Sequence, residues 1–192
     1  MSSTNRGADR IALDAYYTPD AVARACVATL AGLAGATVWE PSAGGGAFAE
    51  AAALRHAFVY ASDISPILPP MEELEARGIA GWRANHDAIK GWPFGDDPPA
   101  WIIGNPPFND AEQHTRMALA TATVGVAFLL RLAFLEGAKR RDFWRQFPAS
   151  QVYVFVNRPS FTGGATDSCA YGWFVWWKGH EGQTTLHHLE WR

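Results

Sequence analysis

Cysteine is scarce in this chain of 192 residues, with only Cys26 and Cys169. Two thiols make no disulfide framework and show no metal-ligand spacing, so they read as reduced thiols of a cytoplasmic protein with no metal site. Basic charge is also lacking. The formal net charge is -3, so no global positive field marks a nucleic-acid binder, and any such surface must be local. No apolar run is long enough to span a bilayer. The opening MSSTNRGADR has no apolar core of the signal-peptide kind. Internal repeats and low-complexity segments are absent.

What the chain does have is apolar and aromatic bulk. Hydrophobic residues make up 48%, and nine are Trp. This suits one domain with a substantial core, and the indoles read as core or sheet-face filling. Residues 1–10 read as a flexible tail and 11–192 as a single domain.

Short apolar runs alternate with helical patterns. TPDAVARACVATLAGLAG opens with Thr18 as a helix N-cap and Pro19 at the first helical position, and Gly35 closes it. Strands are expected at 37–41, 57–63, 81–87, 100–105, 124–132, 151–157 and 171–179. Helices are expected at 46–56, 69–78, 110–122 and 136–147. This alternation predicts an α/β fold: a Rossmann-like, mostly parallel, seven-stranded sheet with helices on both faces. The last two strands are joined by about a dozen residues without helical pattern, a length that suits a hairpin. The last strand is therefore expected to be antiparallel. In open sheets of this kind ligands sit beyond the carboxyl ends of the strands.

Three acids stand at successive strand ends. Glu40 precedes Pro41, Ser42, Ala43 and the run Gly44-Gly45-Gly46. Glycines there allow a tight turn and close approach to backbone, and the helix behind offers unpaired N–H groups. The spacing is not the dinucleotide fingerprint, and no Lys follows as in a phosphate loop. An acid before the glycines suits a ligand with a positive group such as an amine. Asp63 is placed to take a ribose diol, with Ile64 against an adenine ring. Asp87 is placed to accept from an exocyclic amine. Each acid taken singly also fits a helix cap or a loop.

The strand WIIG runs into Asn105, Pro106, Pro107 and Phe108. Two readings stand. Pro-Pro ends the strand and Asn caps the next helix, or the turn grips a planar amino group. An aromatic amine is a poor nucleophile because its lone pair is delocalised. Two acceptors aimed at its two N–H bonds favour a tetrahedral nitrogen and stabilise the developing charge. The Asn105 side-chain oxygen and the Pro106 carbonyl are such acceptors, held stiffly by the prolines. Phe108 would stack on the base.

EPSAGGGAF, NPPF and YYTPDAVA (16–23) together resemble the class I S-adenosylmethionine-dependent methyltransferases. More narrowly, they are similar to the N6-adenine DNA methyltransferases in which the cofactor motif precedes the catalytic motif. The resemblance implies S-adenosylmethionine as cofactor and adenine N6 in DNA as methyl acceptor. It implies that Tyr17, Thr18 and Pro19 border the methionine moiety with Glu40 and the Ser42–Gly46 backbone. Asp63 would then hold the ribose and Asp87 the adenine amine, while Asn105, Pro106 and Phe108 grip the target base.

The loop 157–168 is a base-facing candidate. Phe161 reads either as a second aromatic wall or as a loop anchor packed on the core. Arg158 is a candidate phosphate contact. Lys139, Arg140, Arg141 and Arg145 read more readily as a solvated helix face than as a phosphate-binding edge. Many relatives carry a target-recognition domain for which this chain has no room. Specificity is then weak, or comes from loops, or from a protein partner or self-association. The same Asn-Pro-Pro-aromatic turn serves methyl transfer to adenine in RNA and to glutamine amides in protein. A non-catalytic subunit is the least favoured reading, because the glycine loop and the Asn are both intact.

Overall fold

The computed structural model describes residues 17–161 and 169–192. The expected tail, Tyr16 and most of the loop between the last two expected strands lie outside the described residues. Eight strands form one sheet. In chain order they are β1 (Thr37–Glu40), β2 (Phe58–Ser62), β3 (Ile79–Arg83), β4 (Trp101–Gly104), β5 (Gly125–Arg131), β6 (Gln151–Phe155), β7 (Tyr171–Trp177) and β8 (Thr185–Leu189). The helices are α1 (Asp20–Ala28), α2 (Ala47–Ala53), α3 (Met71–Ala76), α4 (Ala111–Thr121) and α5 (Arg141–Gln146). The spatial order is β3-β2-β1-β4-β5-β7-β6-β8. Every neighbouring pair is parallel except the two made by β7. The expected antiparallel strand is therefore present as the seventh, and an eighth follows it.

Strand period explains the two-sided core. Val38, Trp101, Ile103, Ala127, Leu129, Trp173 and Val175 pack on one face with α1 and α2. Their sequence neighbours Trp39, Ile102, Val126, Phe128, Phe174 and Trp176 pack on the other with α4 and α5. Successive side chains alternate across a strand, so a strand buried on both faces reads as a continuous apolar run. Trp39, Trp101 and Trp173 are fully buried. The Trp101 ring needs space from its neighbour strand: a Cβ on Gly125 would stand 2.5 Å from it. Phe48 of α2 stacks on Trp173 with ring centroids 5.2 Å apart, tying that helix to the sheet.

Several boundaries differ from expectation. β3 begins two residues earlier than expected, at Ile79, and ends at Arg83, so Asp87 does not end it but caps the turn Ala88–Lys90. The charged stretch after β5 is mostly short 3-10 turns, Leu132–Leu135 and Ala138–Arg140, before the six-residue α5. Arg140 in it donates to the Ala133 and Glu136 carbonyls, at 3.2 and 3.1 Å, and lies over the Phe134 ring. It holds the turn together. Arg145 is exposed beside Asp142. α1 begins at Asp20, with Pro19 as its N-cap and no side-chain cap. Thr18 does not cap it, because it stands one residue before the N-cap position. β8 escaped the sequence reading because its residues are mostly exposed and show no apolar alternation. It is a sheet edge, held by β6 alone. Among the described residues, no helix is long and apolar enough to cross a membrane.

Candidate functional site

The carboxyl ends of β1, β2, β3 and β4 open into a cleft of about 1110 Å³. That size suits a nucleoside-sized ligand with room to spare.

Glu40 ends β1 and is 2% exposed. Its Oε2 accepts from the Ala49 backbone N–H at 2.7 Å, inside the first turn of α2. The carboxyl thus caps the helix whose own N-cap, Gly46, has no side chain and a left-handed φ of 74°. Burial pushes the Glu40 carboxyl up from 4.5 to about 8, and the backbone hydrogen bonds and Arg77 only partly oppose this. Gly104, with φ 153°, ends β4 against it: a Cβ there would stand 3.4 Å from Glu40 Cγ.

The glycine turn is tied to β2. Asp63 Oδ2 accepts from Gly44 N at 2.7 Å, and its Oδ1 accepts from Ser65 N at 2.8 Å. Each carboxylate oxygen keeps further acceptor capacity for a hydroxyl. Ile64 is 55% exposed on the cleft wall, and Ile67 and Pro69 extend that wall. Asp87 caps the short turn Ala88–Lys90 by accepting from Ile89 N at 3.2 Å, and it also lines the cleft. Tyr17 is 63% exposed and lies over the glycines, where a Cβ on Gly45 would meet its ring at 3.2 Å.

Opposite these groups stands Asn105. Its Nδ2 donates to Thr18 Oγ1 at 3.2 Å, across 87 residues of chain. This turns the amide oxygen away from Thr18. The structure therefore brings together Tyr17, Thr18, Glu40, Pro41, Ser42, Ala43 and Gly44 with Asp63, Ile64, Asp87, Asn105 and Pro107 on one cleft.

Other expected site residues stand back from it. Pro19 and Gly46 lie behind the lining, and Pro106 is buried. Phe108 is half-buried, with the Arg131 guanidinium 4.6 Å from its ring centroid and the Tyr171 ring at 5.5 Å. Phe161 is 6% exposed and stands edge-on to Tyr171 at 4.8 Å, as a packed loop anchor does. Arg158 is exposed.

Some lining residues were not foreseen. His114 is 5% exposed on α4, with Nδ1 3.0 Å from the Asp110 carbonyl. A carbonyl only accepts, so Nδ1 is the donor in this contact. The i, i+4 spacing of Asp110 and His114 was the available signal. Arg77, which grips the glycine turn, had no local signal at all. Among the described residues, no group of three or more His, Cys, Asp or Glu could hold a metal ion.

No family model matches the sequence, and no curated protein matches it. Solved structures match its fold. A modification subunit assigned to a type I restriction enzyme from Vibrio vulnificus YJ016 superposes with a TM-score of 0.67 at 17% identity, over 88% of this chain and 45% of that one. This chain thus spans under half the length of that subunit. A protein described as an RNA methyltransferase from Pyrococcus horikoshii gives 0.67 at 17% identity, over 89% and 88% of the two chains. One described as a class I S-adenosylmethionine-dependent methyltransferase from Listeria monocytogenes gives 0.64 at 12%, over 93% and 67%. The fold is the Rossmann-like fold of these methyltransferases. At these identities the likeness concerns the fold.

Proposed function

We propose that this chain transfers the methyl group of S-adenosylmethionine to the N6 amino group of adenine in DNA. The observation that carries the reading is the placement of Asn105. It directly follows β4 on the rim of a cleft whose far wall holds a glycine turn and the acids Glu40, Asp63 and Asp87. The residues fit the cofactor part by part: Glu40 and the turn for an amino-acid moiety, Asp63 for a diol, Ile64 and Asp87 for an aminopurine. Bound there, S-adenosylmethionine supplies an electrophilic methyl group on sulfur.

The work of the chain is geometric. Asn105 Oδ1 and the Pro106 carbonyl accept the two N–H bonds of the target amine and draw its nitrogen toward a tetrahedral shape. Thr18 holds the Asn105 amide before the substrate arrives. A base that stacks on the covered face of Phe108 displaces the Arg131 guanidinium. Duplex DNA delivers the base by flipping, and a single strand delivers it directly. Arg158 stands ready for a phosphate, and Phe161 anchors the loop that carries it.

One structural neighbour is described as a restriction-enzyme modification subunit and another as an RNA methyltransferase. The reading is therefore tested by offering labelled S-adenosylmethionine with duplex DNA, single-stranded DNA, RNA and protein. Label recovered as N6-methyladenine in DNA supports it. Label found in RNA or protein alone overturns the acceptor, and no label in any polymer overturns the activity.

A further inference from the structure

The glycine turn between β1 and α2 is held from two sides. On one side Asp63 accepts from Gly44 N. On the other is Arg77, the residue just past α3. Its Nη2 donates to the carbonyls of Gly45 and Gly46, at 2.7 and 3.0 Å. Its Nε donates to Glu50 Oε2 of α2 at 2.9 Å, and its Nη1 to Glu73 Oε1 at 3.4 Å. The side chain is 19% exposed. A Cβ on Gly46 would lie 2.9 Å from Nη2. The missing side chain at Gly46 thus makes room for this guanidinium.

From this geometry we infer that Arg77 is a positioning residue of the cofactor site. It sets the glycine turn for the amino-acid end of an adenosyl cofactor. A peptide unit is planar and trans, so a carbonyl and the following N–H point opposite ways. The Gly46 carbonyl accepts from Glu50 N of α2 as well as from Arg77, each at 3.0 Å, so helix and guanidinium together fix it and turn the Ala47 N–H to the far side, where Ala47 lines the cleft. Only a planar fork reaches two carbonyls and a carboxylate at once; an ammonium on a flexible stem does not. The guanidinium is paired with Glu50 and Glu73, and its bonds to the two turn carbonyls fix the geometry of the turn. The groups assigned to the adenosine end, Asp63, Ile64 and Asp87, make no hydrogen bond to Arg77.

The inference rests on the cofactor reading above, and its test separates the two. S-adenosylhomocysteine and adenosine are titrated against wild type, Arg77→Lys and Arg77→Ala, with melting curves to show that each variant is folded. Loss of a charge-assisted pair of hydrogen bonds predicts S-adenosylhomocysteine affinity lower by about tenfold in both variants. Adenosine affinity stays within about twofold, and kcat at saturating cofactor changes less than the cofactor KM. Arg77→Lys keeps the charge and so covers the case in which Arg77→Ala fails to fold. Unchanged S-adenosylhomocysteine affinity in a folded variant overturns the inference and leaves the cofactor reading standing. Equal losses for both ligands also overturn it, since they mean general loosening. Absence of binding by wild type overturns both.

Discussion

Replacing Glu40 with Gln isolates the cost of burying an acid. Glu40 is 2% exposed and its carboxyl is pushed up to about 8. The native protein therefore keeps this proton between pH 4.5 and about 8, while the unfolded chain has released it. The native state binds more protons in that window, so stability falls as pH rises through it. One pKa unit corresponds to about 1.36 kcal/mol, which puts the loss between pH 5 and 8 on the order of 4 kcal/mol. Glu40→Gln retains an acceptor for Ala49 N and has nothing to titrate. Urea unfolding of both proteins from pH 5 to 8.5 reads the difference. The two should be similar near pH 5, and the variant should be the more stable at pH 8.5. Parallel stability curves for the two proteins would refute the reasoning.

A cationic ligand changes this balance. If a ligand amine sits near Glu40, binding favours the ionised carboxylate and releases a proton. S-adenosylhomocysteine should then bind more tightly as pH rises from 6 to 8, by up to about tenfold per unit. Calorimetry in buffers of different ionisation enthalpy should show the released proton, and Glu40→Gln should abolish it. Gly125→Ala places a Cβ 2.5 Å from the Trp101 ring and 2.9 Å from the Trp176 carbonyl. It should lower stability by about 1–3 kcal/mol, read by urea unfolding. Thr18→Val removes the hydroxyl that holds Asn105. It should lower kcat by about fivefold, in line with one lost hydrogen bond, while Thr18→Ser keeps most of the rate.

Much of the frame was legible because strand and helix periods differ. The continuous apolar runs at Trp101–Gly104 and Gly125–Arg131 gave central strands, and the short loop after β6 gave the antiparallel β7. β8 was not legible, since an edge strand with one partner carries little apolar pattern. Glu40, Asp63 and Asp87 all line the cleft, Asp87 from a turn four residues past the end of β3 and not from a strand end, and their structural duties were hidden. Glu40 caps α2, and Asp63 ties Gly44 to β2. Such bonds span 9 and 19 residues and depend on the folded register. The same holds for Thr18 and Asn105, 87 residues apart. A good N-cap residue was read as a cap because its true partner is distant in sequence. Phe161 shows the opposite limit: an aromatic in a loop looks alike whether it faces a base or a core.

The most direct measurement is single-turnover methyl transfer by Asn105→Ala with adenine-containing DNA, alongside its affinity for S-adenosylhomocysteine. Removing one preorganised acceptor predicts a rate lower by about 100-fold or more. Cofactor affinity should stay close to that of wild type. Transfer at the wild-type rate by this variant would contradict the account.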